Sequence, residues 1–299
     1  MKLISYYLAA ITAFIIWGLL SLVLKPLHNY QSLDILFYRV FFSGILLFLI
    51  NLLFRRKIIK ADVNRLKKMT AIEKRRILLL TLSGGLLLTT NWFCFIYVMN
   101  HVSVKATSLA YLVCPIMTAV LANFILKERL TKWQWTAIGV SVISCLILSF
   151  NNLTDLLYSL VIAVTYALYL VSQRKNGELD RFFSLTIQIL FAGLIILPFY
   201  PSFSAALPTE PMFYELVVLI ALVFTILPLL LNLYALKEIN SSTVGILLYI
   251  NPIIAFMLAI FKYHEPINST QIIAYSMILV AIALFNIHHL KRKRKELLI

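Results

Sequence analysis

The sequence predicts an all-α integral membrane protein whose ten transmembrane helices form two inverted five-helix repeats. Three observations support this: the composition, the number of apolar runs, and a proline-containing run that occurs twice. The chain of 299 residues is 62% hydrophobic, has a mean hydropathy of +0.92 and contains only 13% charged residues. Soluble domains are about 45–50% apolar. A soluble fold of this length could not bury so much apolar surface, whereas a bilayer accepts it.

The charge distribution also indicates a membrane protein. A net charge of +15 would favour nucleic acid binding in a soluble chain. Here the basic residues lie between apolar runs, so we interpret them as orientation signals and contacts with anionic lipid, and we predict no nucleic acid partner. Cys94, Cys114 and Cys145 lie inside apolar runs without CxxC spacing, which is typical of packing residues. We predict no metal and no organic cofactor.

Runs of about 17–25 apolar residues are long enough to cross a bilayer. The first run follows Lys2 and lacks a small-residue cleavage site, so we predict that it is a retained helix and not a removable signal. The ten predicted spans are 4–25, 32–54, 77–99, 104–126, 133–150, 154–173, 182–200, 213–236, 243–261 and 269–289.

The basic residues test this number of spans. With an inside start, one face of the membrane receives 23 Lys and Arg residues and the other face receives 3, while Arg39 lies within the second span. This bias follows the positive-inside rule. An odd number of spans would separate the two most basic segments. We therefore predict a multi-pass protein of the plasma (inner) membrane with both termini in the cytoplasm.

The segment Arg55–Arg76 between the second and third spans combines basic and apolar residues. Val63, Leu66, Met69 and Ile72 recur at near-helical spacing among lysines and arginines. The pattern predicts a short helix on the anionic cytoplasmic leaflet. Docking to another protein is the alternative.

Pro115 lies inside the apolar run Tyr111–Leu130, and Pro252 lies 137 residues later inside the run Leu248–Ile267. A proline within a helix costs about 3 kcal/mol in water, so its repetition is unexpected. A duplication explains it, with repeats at residues 1–150 and 151–299; a chance match between two Leu-rich helices is the alternative. The identical pairs at this offset are Pro115–Pro252, Ile116–Ile253, Leu121–Leu258, Ala122–Ala259, Phe124–Phe261 and Glu128–Glu265.

Five spans per repeat have a topological consequence, because an odd number makes the second repeat enter the membrane from the opposite side. Inverted repeats are common in secondary transporters, whose substrate site lies near the midplane between the halves. Pro115 and Pro252 are candidates for gating residues, since each leaves a carbonyl without its helical partner. Merely shaping two kinked helices is the alternative.

Four stretches resemble a known family: "NWFCFIYVMNHVSVKATSLAYLVCPIMTAVLANFILKERLTKWQW" from Asn91, "IIWGL", "YRVFFSG", and "LPLLLNLYALKEINSSTVGILLYINPI" from Leu227. They are similar to the RarD branch of the EamA-type transporters, in the drug/metabolite transporter superfamily. The resemblance implies a ten-helix exporter fold with cytoplasmic termini. Members move amino acids, metabolites or drugs, and this branch is associated by name with chloramphenicol sensitivity. The family's usual histidine before the second-span arginine is Tyr38 here, so its role is not carried over.

Arg39 is the only fully charged side chain well inside an apolar run. A buried arginine in a membrane span is expensive and therefore indicates a function. Its planar guanidinium suits a carboxylate. Snorkelling to the interface and pairing with Asp34 are the alternatives.

Amides and aromatic rings deep in the spans complete the predicted substrate site. An asparagine can bind a ligand or a neighbouring helix, and aromatic rings can stack on planar or cationic substrates or simply pack. The candidates besides Arg39 are Trp17, Asn91, Trp92, Tyr97, Tyr111, Tyr166, Tyr169, Asn232, Tyr234, Tyr249 and Asn251.

Three acidic residues lie at span ends beside basic neighbours: Glu128 by Lys127, Glu238 by Lys237, and Glu265 by His264. We expect local salt bridges, with proton coupling as the alternative. No acid lies at mid-membrane, so the usual proton relay is missing, which favours facilitated exchange or coupling through a less obvious group.

The sequence predicts a secondary transporter that moves small metabolites, amino acids or drug-like compounds, by alternating access through a central cavity, with export as the expected direction. A channel or lipid-scrambling protein is the alternative. An enzyme is not predicted, because HExxH, GxSxG and GxxxxGK[ST] patterns are missing. The expected partners are a small-molecule substrate and the bilayer, and the sequence is compatible with a monomer.

Overall fold

The computed structural model describes residues 2–27, 29–101, 104–149, 153–200, 208–262, 264 and 269–296. These residues form helices joined by short connections. The helices are α1 (Lys2–Gly18), α2 (Ser21–Leu24), α3 (Ser32–Phe54), α4 (Arg56–Lys68), α5 (Ala71–His101), α6 (Val104–Leu126), α7 (Lys132–Ser149), α8 (Leu153–Lys175), α9 (Arg181–Ile196), α10 (Pro211–Ala221), α11 (Leu227–Ala235), α12 (Ser241–Leu247), α13 (Ile250–Phe261) and α14 (Ser269–Glu296). A π-helical segment, Leu222–Ile226, joins α10 to α11.

Nine segments of the described chain are long and apolar enough to cross a membrane. They correspond to the predicted spans one to four and six to ten. The predicted fifth span is also helical, as α7, but its apolar part, Lys132–Leu148, is shorter than the other nine. The chain is therefore a multi-pass, all-helical membrane protein.

The helices form one bundle with a main hydrophobic core and two smaller apolar clusters among the described residues. α6 lies along α8, α5 packs against α8 and α9, α1 packs against α11 and α13, and α3 packs against α9 and α10. α6 also contacts α12, and α7 contacts α14. Phe14, Leu112 and Tyr249 lie in the core and are at most 1% exposed. Phe54 and Phe124 by contrast expose 81% and 72% of their surface, as expected for side chains that face lipid tails.

Corresponding helices in the two halves begin at the same offset. α6 begins at Val104 and α12 at Ser241, and α7 begins at Lys132 and α14 at Ser269, so each pair differs by 137 positions. Two described residues other than glycine have positive φ, and they differ by the same offset: Lys127 at 56° and His264 at 51°. A left-handed residue is a common way to end a helix.

The two matched prolines have different surroundings. Pro115 lies inside the continuous helix α6. Pro252 follows an interruption at Leu248 and Tyr249, which separates α12 from α13. In an α-helix the residue at 252 would donate to the carbonyl of Leu248, but proline has no N–H. The amide of Asn251 donates to that carbonyl instead, at 3.0 Å. This hydrogen bond spans three residues, whereas an α-helical one spans four, so the turn is one residue shorter than an α-helical turn.

The basic segment after α3 forms the predicted helix but ends earlier than expected. α4 stops at Lys68, and a capping box between Thr70 and Glu73 starts α5, with the amide of Thr70 donating to the carboxylate at 2.8 Å. The predicted continuation of the helical stripe through Met69 and Ile72 is therefore wrong. Two ion pairs hold this region to the connection between α8 and α9: Arg55–Asp180 at 2.8 Å and Arg65–Glu178 at 3.0 Å.

Candidate functional site

Arg39 lies where α3 meets α5 and the π-helical segment. Its Nε donates a hydrogen bond to the Thr225 hydroxyl at 2.6 Å, and its guanidinium carbon lies 4.9 Å from the centroid of the Trp92 ring. That second contact is an attractive cation–π interaction. Neither ion pair among the described residues includes Arg39, so the expected alternative of pairing with Asp34 is not formed. Within the described part of the chain, neutral partners position the guanidinium and leave its charge uncompensated.

The π-helical segment has a local cause in the sequence. In an α-helix the amide of residue 228 would donate to the carbonyl of Phe224, but Pro228 has no N–H. The indole Nε1 of Trp17 donates to this carbonyl at 2.9 Å.

Thr225 is fully buried, and its hydroxyl donates to the carbonyl of Ile220 at 3.0 Å. π-helical turns are frequent at functional sites, and this one connects Trp17 on α1 with Arg39 on α3.

A second polar contact joins α8 to α11. The amide of Asn232 donates to the Tyr166 hydroxyl at 3.0 Å, and both side chains are buried. The Tyr166 ring lies edge-on to Trp17 with centroids 6.0 Å apart, and 5.8 Å from the Tyr169 ring. Tyr111 on α6 lies within electrostatic range of Arg39 and Tyr166. We call the seven predicted residues that these contacts connect the central cluster: Trp17, Arg39, Trp92, Tyr111, Tyr166, Tyr169 and Asn232.

Three predicted site residues have other surroundings. The amide of Asn91 donates to the carbonyl of Ile162 at 2.8 Å and so joins α5 to α8, which is the helix-joining alternative. Tyr97 is 46% exposed on the outer surface of α5. Tyr234 stacks on Tyr6, with centroids 4.5 Å apart, and therefore lies near the start of α1 at one end of the bundle, whereas the sequence suggested a mid-span position.

Tyr249 and Asn251 lie at the interruption between α12 and α13. Tyr249 is fully buried and Asn251 is 7% exposed. The Tyr249 hydroxyl faces Ser141 on α7, but the two hydroxyls do not complete a hydrogen bond of normal geometry. These two residues thus accompany Pro252 at a point where the backbone leaves regular helical geometry.

Glu128 has partners that the sequence analysis missed. One carboxylate oxygen accepts from the Ser241 amide at 2.8 Å, and the other accepts from the Ser242 amide at 3.0 Å and the Ser242 hydroxyl at 2.7 Å. A carboxylate at a helix N-terminus satisfies free amides and the helix dipole. The expected local salt bridge with Lys127 is not among the described ion pairs, and neither is one for Glu238.

The third acid of that set, Glu265, lies outside the described residues. No local pattern could have revealed the partners of Glu128, because they are 113 and 114 positions away. The contact joins the connection between α6 and α7 to the start of α12. It therefore links the two halves of the chain at one end of the bundle.

Tyr38, next to Arg39, belongs to an aromatic cluster between α3 and α10. Its hydroxyl lies 2.8 Å from that of Tyr200, and its ring packs edge-on against Phe213 with centroids 5.4 Å apart. At the same end of the bundle Tyr30 donates to Glu210 at 2.8 Å, and this hydrogen bond raises the pKa of Tyr30. Tyr38 therefore belongs to this aromatic cluster, whereas the neighbouring Arg39 binds the Thr225 hydroxyl.

Comparisons with known proteins agree with this architecture. The model of the EamA-like transporter family matches the chain twice, over residues 4–150 and 153–287. The uncharacterized transporter YojE of Bacillus subtilis is 32% identical over 94% of this chain and 93% of its own length. Protein RarD of Salmonella typhi is 26% identical, covering 97% of each chain. A crystal structure of a protein that is 15% identical shares the fold, with a TM-score of 0.71 over 94% of this chain and 96% of that one. The chain therefore belongs to the EamA-like transporter family and resembles its RarD proteins.

Proposed function

We propose that the protein is a secondary transporter that moves a small carboxylate-bearing metabolite, such as an amino acid, by alternating access, with export as the net direction. The observation that carries the proposal is the uncompensated guanidinium of Arg39. It is half-buried, is positioned by Thr225 from the second half of the chain and Trp92 from the first, and lies within electrostatic range of Tyr111. A guanidinium held by neutral groups can form two parallel hydrogen bonds with a carboxylate. The neighbouring rings suit the apolar part of the same substrate.

We infer ten membrane-crossing helices in two inverted repeats, with α7 as the tenth. The two family matches, the shared helix starts and the paired left-handed residues support this arrangement. The helix contacts support it as well. In this arrangement the helices α1, α3, α5, α6 and α7 correspond to α8, α9, α10–α11, α12–α13 and α14. The contact of α5 with α8 then has its counterpart in the contact of α11 with α1. In the same way α6–α8 corresponds to α13–α1, and α5–α9 corresponds to α10–α3. The contacts α3–α9, α6–α12 and α7–α14 each convert into themselves.

The bond network of Glu128 supplies a gate for this mechanism. Three hydrogen bonds from one carboxylate hold the α6–α7 connection against the start of α12. Charge-assisted hydrogen bonds are worth roughly 1.5–3 kcal/mol each, so this contact can bias a two-state equilibrium. Releasing it frees α12, whose seven residues are all buried, to move relative to α6.

The proposed location is the inner membrane with both termini in the cytoplasm. The connection that carries Glu128 contains Lys127, Arg129 and Lys132, so the positive-inside rule assigns it to the cytoplasm. The described conformation is then closed on the cytoplasmic side, and substrate would enter from that side once the Glu128 contact has opened.

Counterflow in proteoliposomes tests the transport proposal. Vesicles loaded with one unlabelled amino acid at a time should take up the same labelled compound with saturation and trans-stimulation. Arg39→Ala should raise the half-saturating concentration by about 100-fold, since a charge-assisted contact is worth up to roughly 3 kcal/mol. Arg39→Lys should recover only part of the lost substrate affinity, because an ammonium group cannot form two parallel hydrogen bonds with a carboxylate. Arg129→Ala, which removes an exposed arginine, is the matched control.

Two outcomes would count against the proposal. Equal uptake by the Arg39→Ala and Arg129→Ala variants would remove Arg39 from the substrate site and leave the carrier intact. Uptake that rises linearly with concentration and shows no trans-stimulation would favour the channel or lipid-scrambling alternative.

A further inference from the structure

A basic cavity lies outside the central cluster, at the end of the bundle where α4 meets the connection between α8 and α9. Its volume is about 670 Å³. None of the central-cluster residues lines it. The charged residues that line it are Asp62, Arg65, Arg174, Asp180, Arg181 and Lys237.

The charges in this cavity are not balanced. The ion pairs Arg65–Glu178 and Arg55–Asp180 neutralise two of the charged lining residues. Of the remaining four lining charges, Arg174, Arg181 and Lys237 are positive and only Asp62 is negative. The carboxylate of Asp62 already accepts a hydrogen bond from the Asp180 amide at 2.9 Å.

The two unpaired arginines are held in place without being neutralised. Arg174 donates to the backbone carbonyl of Leu236, and Arg181, which is 8% exposed, donates to the carbonyl of Gln173 at 2.7 Å. Both partners are carbonyl groups near the C-terminal ends of α11 and α8. The side chains therefore lose little freedom when an anion arrives, which lowers the cost of binding it.

We propose that this cavity binds the phosphate group of an anionic phospholipid. Phosphate is the anion that arginine binds with paired hydrogen bonds, and basic pockets between transmembrane helices are typical sites for lipid headgroups. The surroundings favour a lipid over a soluble phosphate. α4, which contributes Asp62 and Arg65, also exposes Ile58 and Val63, by 39% and 38%, as a helix at the lipid surface does.

The site joins elements that belong to different halves of the chain. α4 precedes residue 150, whereas Arg174, Arg181 and Lys237 follow it. A bound phosphate would hold α4 to the end of α8 and to the residue that follows α11. Binding can be measured without any transport assay, so its failure and the failure of the proposed function are distinguishable.

Native mass spectrometry of the full-length protein in detergent tests the proposal, with phosphatidylglycerol and phosphatidylcholine as separate probes. The wild type should retain phosphatidylglycerol in preference to phosphatidylcholine. The variant Arg174→Gln/Lys237→Gln should bind phosphatidylglycerol about thirtyfold more weakly, because each basic side chain near an anionic surface contributes roughly fivefold. Lys60→Gln/Lys68→Gln is the matched control, since it removes the same charge from exposed positions of α4 outside the cavity.

The single variant Lys237→Gln, at an exposed position, keeps the test valid if the double variant does not fold. It should weaken phosphatidylglycerol binding about fivefold. Equal weakening in the α4 control would overturn the proposal, because it would indicate general surface charge. Binding of inorganic phosphate to the wild type and to the double variant is the last measurement. If phosphate binds the wild type but not the double variant, while phosphatidylglycerol shows no preference, the lipid assignment is wrong.

Discussion

The helix α6 and the pair α12–α13 each contain a proline, and the two prolines lie 137 positions apart, yet only α12–α13 is interrupted. α6 runs from Val104 to Leu126 without a break across Pro115. In the second half, by contrast, α12 ends at Leu247 and α13 begins at Ile250, two residues before Pro252. A proline therefore removes a hydrogen bond in both places but does not determine by itself whether the helix breaks.

Different neighbours hold the two sides of the interruption. The start of α12 is bound by Glu128, and a Cβ added at Gly245 would meet the Cβ of Thr118 at 2.7 Å, so α12 is fixed to α6. α13 is fixed to α1, because a Cβ at Gly18 would meet Ile254 at 2.7 Å. α6, in contrast, makes its most extensive contact with one continuous helix, α8. The comparison indicates that a proline supplies a weak point and that anchoring to two separate partners interrupts the helix there. We predict that this interruption acts as a hinge.

The largest expected effect comes from filling the contact between α12 and α6. Gly245→Val should destabilise the protein by about 3 kcal/mol, because its side chain would overlap Thr118 in a buried interface. Gly139→Ala is the control: no atom lies within 4 Å of its added Cβ, and alanine favours the helix by up to about 1 kcal/mol. Unfolding in detergent, followed by size-exclusion chromatography after heating, measures both.

A double-mutant cycle makes this prediction specific. Thr118→Ala should recover about 1 kcal/mol when combined with Gly245→Ala, because it removes the Thr118 Cγ2 that would lie 2.8 Å from the new Cβ. The recovery is partial, since alanine keeps the Cβ at 2.7 Å. Additive effects of the two substitutions would mean that α6 and α12 do not pack closely at this point, and the two-partner explanation of the hinge would lose its main support.

The next largest effect concerns the anchor at the start of α12. Glu128→Gln should weaken that anchor by about 1.5 kcal/mol, because a neutral amide offers one weaker acceptor in place of two charged oxygens. Hydrogen exchange of the Ser241 and Ser242 amides should then become roughly tenfold faster. Glu238→Gln, at an exposed position nearby, is the matched control. Unchanged exchange at both amides would show that Glu128 does not secure α12.

Replacing the prolines themselves sharpens the comparison. Pro252→Ala supplies an N–H that can reach the Leu248 carbonyl and favour a continuous helix, so counterflow should slow by several-fold. Pro115→Ala should change counterflow less than twofold, because α6 is already continuous. Equal slowing in both variants would contradict a hinge that belongs to the second half alone. Circular dichroism of each variant checks that the bundle is intact.

The sequence predicted the element types well because apolar run length determines a transmembrane helix locally. The duplication stays a prediction, which rests on the recurrence of Pro115, Pro252 and the acids after them at one offset. It could not predict the interruption at Leu248, which depends on anchors at Glu128 and Gly18 that are distant in the chain. The structure groups seven of the predicted site residues, with Tyr111 linked to the others by electrostatic range alone, but Thr225 was missed. Pro228 was the available signal, because it removes the helical donor to the Phe224 carbonyl, which Trp17 replaces, and so marks the irregular turn.

The smallest effect concerns the buried hydroxyl at the interruption. Tyr249 occupies the position that Leu112 has in α6, and its hydroxyl completes no normal hydrogen bond, so Tyr249→Phe should change stability by less than about 0.5 kcal/mol. Tyr166→Phe should cost about 1 kcal/mol, because the Asn232 amide would lose its acceptor. Thermal unfolding separates the two. If Tyr249→Phe left stability unchanged but slowed counterflow, its hydroxyl would have a partner only in another conformation of the hinge. That result would extend the difference between the two halves from packing to transport.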